Sequence, residues 1–333
     1  MIRLDRNESP YPPSPVVREI LSKYVDQLNR YDVEELREEL LYELENYTGV
    51  SRNYIEFYPG SSHPLLLMIA IAKVKGLELL IPHPTFHVLY GLAESFGVST
   101  RLFKLSKSFE LDSDRFLRFT EGRLVYLANP NNPTGNLLFE DPDFVKRIAS
   151  RAVLVFIDEA YYEFSGFTVG DLVPMLDNLV VTRTLSKAFS VAGARFGYVI
   201  AGRKAMSMLE ALRVGFETSI LSQAVALASL RDKGYMEMIV ERIKSTRDMV
   251  RRRLLELGFW SPESRTNFLF IHVGEPCGRV WRTLGEQGIL TLCLENVRGF
   301  ENYSEYLRVT IGKPEEMRVF LDALLRATAG GSR

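Results

Sequence analysis

Three short stretches hold residues whose types and spacing could do chemistry together. The first is Thr184-Leu185-Ser186-Lys187-Ala188-Phe189, with Arg195 eight residues beyond the lysine. A lysine just past a buried strand, beside hydroxyls and within reach of an arginine, can anchor a phosphorylated aldehyde. Its amine forms the Schiff base, while Thr184, Ser186 and Arg195 donate to the phosphate. Taken alone, Lys187 fits an ordinary loop lysine as well. The second stretch, Val155-Phe156-Ile157-Asp158-Glu159-Ala160-Tyr161, ends an apolar run on a carboxylate that would be costly to bury unpaired. Beside a protonated pyridine nitrogen such a carboxylate keeps the ring charged, so that the ring can act as an electron sink. A helix-capping role suits Asp158 equally at this point, and Tyr161 is either a donor to the cofactor's phenolic oxygen or one more core aromatic. The third stretch is Asn129-Pro130-Asn131-Asn132-Pro133-Thr134-Gly135. Two prolines and a glycine make a rigid, irregular loop able to hold one amide in one orientation, although the composition also suits a plain turn.

The elements that must position these groups are legible as alternating patterns. Apolar runs at 77–82, 124–129, 152–158, 179–184 and 196–201 read as short buried strands. Helical patterns near 64–75, 85–96, 141–150 and 203–213 lie between them. The alternation predicts an α/β fold, a mostly parallel sheet covered by helices on both faces. At the start, Ser14-Pro15 reads as an N-cap with proline at the first helical position, and Asp32-x-x-Glu35 as a capping box. After a long helix ending near Leu257-Gly258, strands near 268–273, 289–294 and 306–311 precede a last helix from about Pro314 to Ala327, and Ala329–Arg333 reads as a frayed tail. The expected division is a large domain over 35–250 and a smaller α+β domain from 1–34 and 251–333.

The strings NPNNPTG, DEAYYEF and RTLSKAFSVAGARFGY, in this order, resemble the fold-type I pyridoxal-phosphate (PLP) enzymes of aminotransferase class I/II. Within that class they are most similar to the histidinol-phosphate aminotransferases. Leu4-Asp5-Arg6-Asn7-Glu8-Ser9-Pro10 resembles the same family's N-terminal segment. The resemblance implies pyridoxal 5'-phosphate on Lys187, which would also shuttle the proton. Asp158 would pair with the pyridine nitrogen, Asn132 and Tyr161 would hold the phenolic oxygen, and Phe86 would stack on the ring. Ser186, Arg195, Thr184 and the backbone amides of Ser61 and Ser62, at a helix start, would bind the phosphate. Arg308 would fork onto a substrate carboxylate, with Asn7 and Asn132 nearby. Tyr31 would reach the phosphate of a neighbouring subunit, so a homodimer is implied. The partners are a small-molecule amino donor and a keto acid, with glutamate and 2-oxoglutarate as one pair. Alternatives are an aromatic or broad-specificity aminotransferase and a lyase resembling threonine-phosphate decarboxylase.

Three departures bear on substrate. His63 stands where the family usually has an acidic residue, and reads as a helix N-terminal residue. The chain begins close to Asn7, whereas the family commonly has a longer N-terminal segment. No arginine follows the strand Gly288-Ile289-Leu290-Thr291-Leu292, and Arg298 is the one nearby. The segment 293–300 is loosely similar to threonine-phosphate decarboxylases. The bulk numbers exclude other classes. With 41 Lys+Arg against 42 Asp+Glu in 333 residues, no global field favours nucleic acid or an acidic membrane. No signal peptide and no run long enough to span a bilayer is present. Cys277 and Cys293 have neither metal-ligand spacing nor a disulfide framework, so the expectation is no metal and a reduced, cytoplasmic protein.

Overall fold

A computed structural model describes residues 1–297 and 299–329. The first eight strands are β1 (Ile2–Arg3), β2 (Ile55–Tyr58), β3 (Leu79–His83), β4 (Thr100–Lys104), β5 (Leu124–Ala128), β6 (Leu154–Asp158), β7 (Leu179–Thr184) and β8 (Gly197–Ala201). Strands β2 to β8 form one seven-stranded sheet in the order β2-β8-β7-β6-β5-β3-β4. All run in one direction except β8, which is antiparallel to β7 and β2. Every residue of β5 to β8 is buried, which is why these strands read as mainly apolar runs, although β7 ends on Thr182-Arg183-Thr184. Alternate side chains enter two separate cores: Leu154 and Phe156 face one, Val155 and Ile157 the other. Helices therefore cover both faces, as the alternation of patterns predicts.

Besides the two-residue β1, two strands of the large sheet escape the sequence patterns. In β2, Glu56 interrupts the apolar run; it is buried because Arg37 and Arg213 reach its carboxylate at 2.7 and 2.9 Å. Strand β4 is an exposed edge with only Phe103 buried, so no apolar run marks it. The capping box at Asp32 is not formed. The helix begins at Glu34 after an extended Val33, and no side chain caps it. At the first helix, Val16–Tyr24, the Ser14 hydroxyl accepts the Val16 N–H at 3.2 Å, but Pro15 sits just outside the helix.

The C-terminal strands are β9 (Phe268–His272), β10 (Ile289–Leu290), β11 (Leu292–Cys293) and β12 (Tyr306–Thr310). The single strand expected over 289–294 is split at Thr291. Strand β10 pairs in parallel with β1, and β11 joins the antiparallel order β11-β12-β9. The start of the chain is thereby held on the C-terminal part, with the Thr310 N–H donating to the Leu4 carbonyl at 2.9 Å. The last helix runs from Pro314 to Ala329; residues 330–333 of the expected tail lie outside the described residues.

The cysteine reading is corrected. Cys277 and Cys293 form a disulfide, with Cα atoms 5.7 Å apart. The helix Cys277–Glu286 packs beside β11, and this tertiary contact, invisible in a spacing of 16 residues, joins them. Among the described residues, no helix is long and apolar enough to cross a membrane.

Candidate active site

Parallel strands bring their C-terminal ends to one edge of a sheet, where the following loops can enclose a ligand. Here β2 leads to Gly60-Ser61-Ser62, β3 to Pro84-Thr85-Phe86, β5 to Asn129–Gly135 and β7 to Ser186-Lys187, while β6 ends on Asp158 itself. These loops, the N-terminal segment and β12 surround a cavity of about 830 Å³. Its lining includes Asn7, Ser61, Ser62, Phe86, Asn132, Asp158, Tyr161, Thr184, Ser186, Lys187, Arg195 and Arg308. Of the residues expected from sequence, only Tyr31 is absent from that wall. It is exposed and stacks on Phe216 with ring centroids 5.7 Å apart.

Each loop is fixed by identifiable bonds. Asn129 spends its side chain on its own loop, accepting from the Leu138 N–H at 2.7 Å and donating to the Phe139 carbonyl at 3.0 Å. Asn131 accepts from the Thr85 hydroxyl at 2.8 Å and donates to the Pro84 carbonyl at 2.9 Å. Asn132 is left to the cavity, and its Oδ1 accepts from Arg308 Nη1 at 2.9 Å. Arg308 Nη2 donates to the Asp5 carbonyl at 2.7 Å, and its buried Nε has no partner among the described residues. Asn7, held at φ 55°, donates through Nδ2 to the Tyr161 hydroxyl at 2.8 Å. The Thr184 hydroxyl donates to the Phe196 carbonyl at 3.0 Å and lies 2.8 Å from Ser186 Oγ, so it shapes the loop.

The anion cradle is built on close approach. Gly60 has φ +76°, and a Cβ there would sit 2.6 Å from Arg195 Nη2. A Cβ on Gly197 would sit 2.4 Å from the Ser61 nitrogen. Only glycine allows the arginine and the start of the helix Ser62–Lys75 to come together. The helix contributes unpaired N–H groups and the positive end of its dipole.

Burial sets the ionisation of the other end. The Asp158 Oδ2 accepts from the Tyr126 hydroxyl at 2.9 Å and Oδ1 from the Ala160 N–H at 3.0 Å, and no ion pair holds it among the described residues. Desolvation raises its pKa to about 6 despite these bonds. Its neighbour Glu159 points away, into a buried pair with Arg183 at 2.8 Å that lies behind the site. Lys187 Nζ donates to the Arg6 carbonyl at 3.2 Å. Burial, and next the Arg308 charge, lower its pKa to about 8, which enriches the nucleophilic neutral amine. Burial pushes the Tyr161 phenol up to about 12, so it stays protonated as a donor.

A family model for aminotransferase class I and II matches residues 1–324. The chain belongs to the class I and II aminotransferases. A histidinol-phosphate aminotransferase of Citrifermentans bemidjiense is 35% identical over 331 residues, covering 97% of this chain and 91% of the relative. The solved histidinol-phosphate aminotransferase of Clostridium acetobutylicum superposes with a TM-score of 0.88 at 21% identity, covering 99% of this chain and 100% of the other. That of Sinorhizobium meliloti, in complex with pyridoxal-5'-phosphate, gives 0.85 at 23% identity, with 99% and 91% covered. At these identities the structural matches speak for the fold.

This aminotransferase also has wall residues that the motifs did not single out. Tyr126 lies inside an apolar strand, and only the register of β5 on β6 puts its hydroxyl on Asp158. Arg6, His87, Trp281 and Leu292 line the cavity too. Leu292 is the register partner of Arg308, so the position beside that arginine is apolar, in keeping with the missing second arginine. Arg298 lies outside the described residues. His63 is not part of the wall; its Nε2 lies 3.3 Å from Glu217 and its ring stacks on Tyr58.

Proposed function

We propose that this aminotransferase holds pyridoxal 5'-phosphate in the cavity and moves an amino group between L-histidinol phosphate and 2-oxoglutarate. The observation that carries the cofactor is the buried Asp158 carboxylate, which has two hydrogen-bond donors and no ion pair among the described residues. A protonated ring nitrogen supplies the missing charge. The residues fit the rest of the group as well: Arg195, Ser186 and the amides of Ser61 and Ser62 suit a phosphate dianion, and Phe86 offers a ring face. The relatives' names point to histidinol phosphate, at 35% identity over nearly the whole chain, and 2-oxoglutarate is the partner that the family resemblance implies.

When bound, the cofactor supplies an electrophilic carbon for the amine and an electron sink for the charge left at the substrate's Cα. Asp158 keeps the ring nitrogen protonated. Lys187 would hold the cofactor, and its amine is the group on the cavity wall placed to move a proton at the substrate's Cα as a general base and acid. Tyr161 and Asn132 would hold the phenolic oxygen; Asn7 fixes the Tyr161 hydroxyl, and Arg308 fixes Asn132. Arg308 receives the substrate's anionic group with its free Nε and its Nη edge. We further infer a homodimer in which Tyr31 reaches the partner's phosphate site, supported by the exposed, stacked pair Tyr31 and Phe216.

The test is a half-reaction. Holoenzyme is mixed with L-histidinol phosphate without keto acid while the cofactor's absorbance is followed. Stoichiometric conversion to pyridoxamine phosphate, reversed by 2-oxoglutarate, is expected. Conversion only with phenylalanine would move the assignment to an aromatic aminotransferase. Carbon dioxide release from O-phospho-threonine, with no net loss of the original band, would overturn transamination.

A further inference from the structure

Cys277 opens the helix Cys277–Glu286, and Cys293 closes β11, the two-residue strand beside Arg308. Cys293 lines the cavity together with Thr291, Leu292, Val297 and Trp281. Trp281 stands one helical turn beyond Cys277, and its indole N–H donates to the Thr291 carbonyl at 3.0 Å. The exposed Glu295 carboxylate accepts the Gly278 N–H at 2.7 Å. Three ties thus join the first turns of this helix to segment 291–295, and one is covalent. A two-residue strand has too few ladder bonds to hold its own register, and bonds made by half-exposed groups compete with water. The disulfide, with both cysteines buried, is the tie that water cannot replace.

We propose that the Cys277–Cys293 disulfide positions the substrate wall. It clamps the Trp281 helix against Thr291–Cys293, so that an apolar face stands beside Arg308 at a set distance. The wall then selects what accompanies the anion that Arg308 binds. The inference rests on the reading of this cavity as an amine-substrate site. The cysteines touch neither the expected cofactor anchors nor Lys187 in any hydrogen bond among the described residues, so they act through Trp281 and Leu292.

The test uses the holoenzyme and the variant C277A/C293A, in a Trp260→Phe background that leaves Trp281 as the sole indole. Intact mass after denaturation without reductant is expected to be two hydrogens below the fully reduced value. In the variant, acrylamide quenching of Trp281 is expected to increase. KM for the amino donor is expected to rise about 3- to 10-fold with kcat within about 2-fold and the cofactor band unchanged, the pattern of lost substrate binding. Should the variant not fold, reduction of native enzyme by a trialkylphosphine gives the same comparison; each bond yields two thiols and a phosphine oxide whose oxygen comes from water. Unchanged quenching and KM with a lowered thermal midpoint would make the bond a brace of the fold alone. Two free thiols in the isolated protein would remove the bond itself. If the parent enzyme transaminates no donor, the functional reading fails, and the quenching result still decides whether the bond sets the wall.

Discussion

Replacing Asp158 by asparagine separates the two roles that its position allows. As the cofactor's counter-charge, the carboxylate is a liability to the empty protein. Its pKa stands at about 6 in the folded chain, from an ordinary 3.8, so ionising it in place costs roughly 3 kcal/mol at 1.36 kcal/mol per unit. The folded, cofactor-free chain therefore binds more protons than the unfolded one between about pH 4 and 6, and its stability declines as pH rises through that window. The asparagine side chain is neutral and of the same shape. It can still accept from the Ala160 N–H while the Tyr126 hydroxyl turns to accept from the new amide. Cofactor-free D158N is expected to be about 1–3 kcal/mol more stable than the parent at pH 7.5, and to lose the decline between pH 4 and 6. With cofactor, loss of a buried charge pair worth about 3–5 kcal/mol should lower kcat by about 10²- to 10⁴-fold. Urea titrations of the cofactor-free proteins at several pH values, with turnover of the loaded ones, measure both. A purely capping Asp158 predicts turnover nearly intact, because asparagine caps as well as aspartate and keeps the Ala160 N–H bond. That result would refute the assignment.

Three further outcomes follow from the geometry. Capture of pyridoxal phosphate by the cofactor-free enzyme should rise with pH, reach half its limit near pH 8 and level off about one unit higher, because the neutral Lys187 amine is the reacting form and its pKa is about 8; stopped-flow absorbance reads this, and a rate still climbing above about pH 9.5 would contradict a buried amine. Arg308→Lys keeps the charge but loses the fork that joins Asn132 and the Asp5 carbonyl, so KM for the amino donor should increase about 10-fold in steady-state kinetics with little change in the cofactor spectrum. Arg183→Met leaves Glu159 charged and unpaired behind the site and should cost about 3–5 kcal/mol in urea unfolding, most of it recovered when Glu159→Gln is added.

What the sequence determined by itself is the chemistry and the frame. Lys187, Asp158 and Asn132 could be read because each ends or closely follows a strand buried on both faces, and such strands keep their identity in any register. A strand end is also a local property, so the loop after it can be read without knowing its neighbours. Tertiary structure decided what depends on which strands lie side by side. Tyr126 became a partner of Asp158 only through the β5–β6 register. Glu56 breaks the apolar run of β2, and its burial depends on Arg37 and Arg213, far apart in sequence, closing on it. Cys277 and Cys293 are an uninformative spacing until β11 packs beside the helix that Cys277 begins. Leu292, too, is only a strand residue until β12 sets Arg308 beside it. Periodicity reports which face of an element is buried. It carries no record of which distant element covers that face, and the far wall of this cavity is made wholly of such pairings.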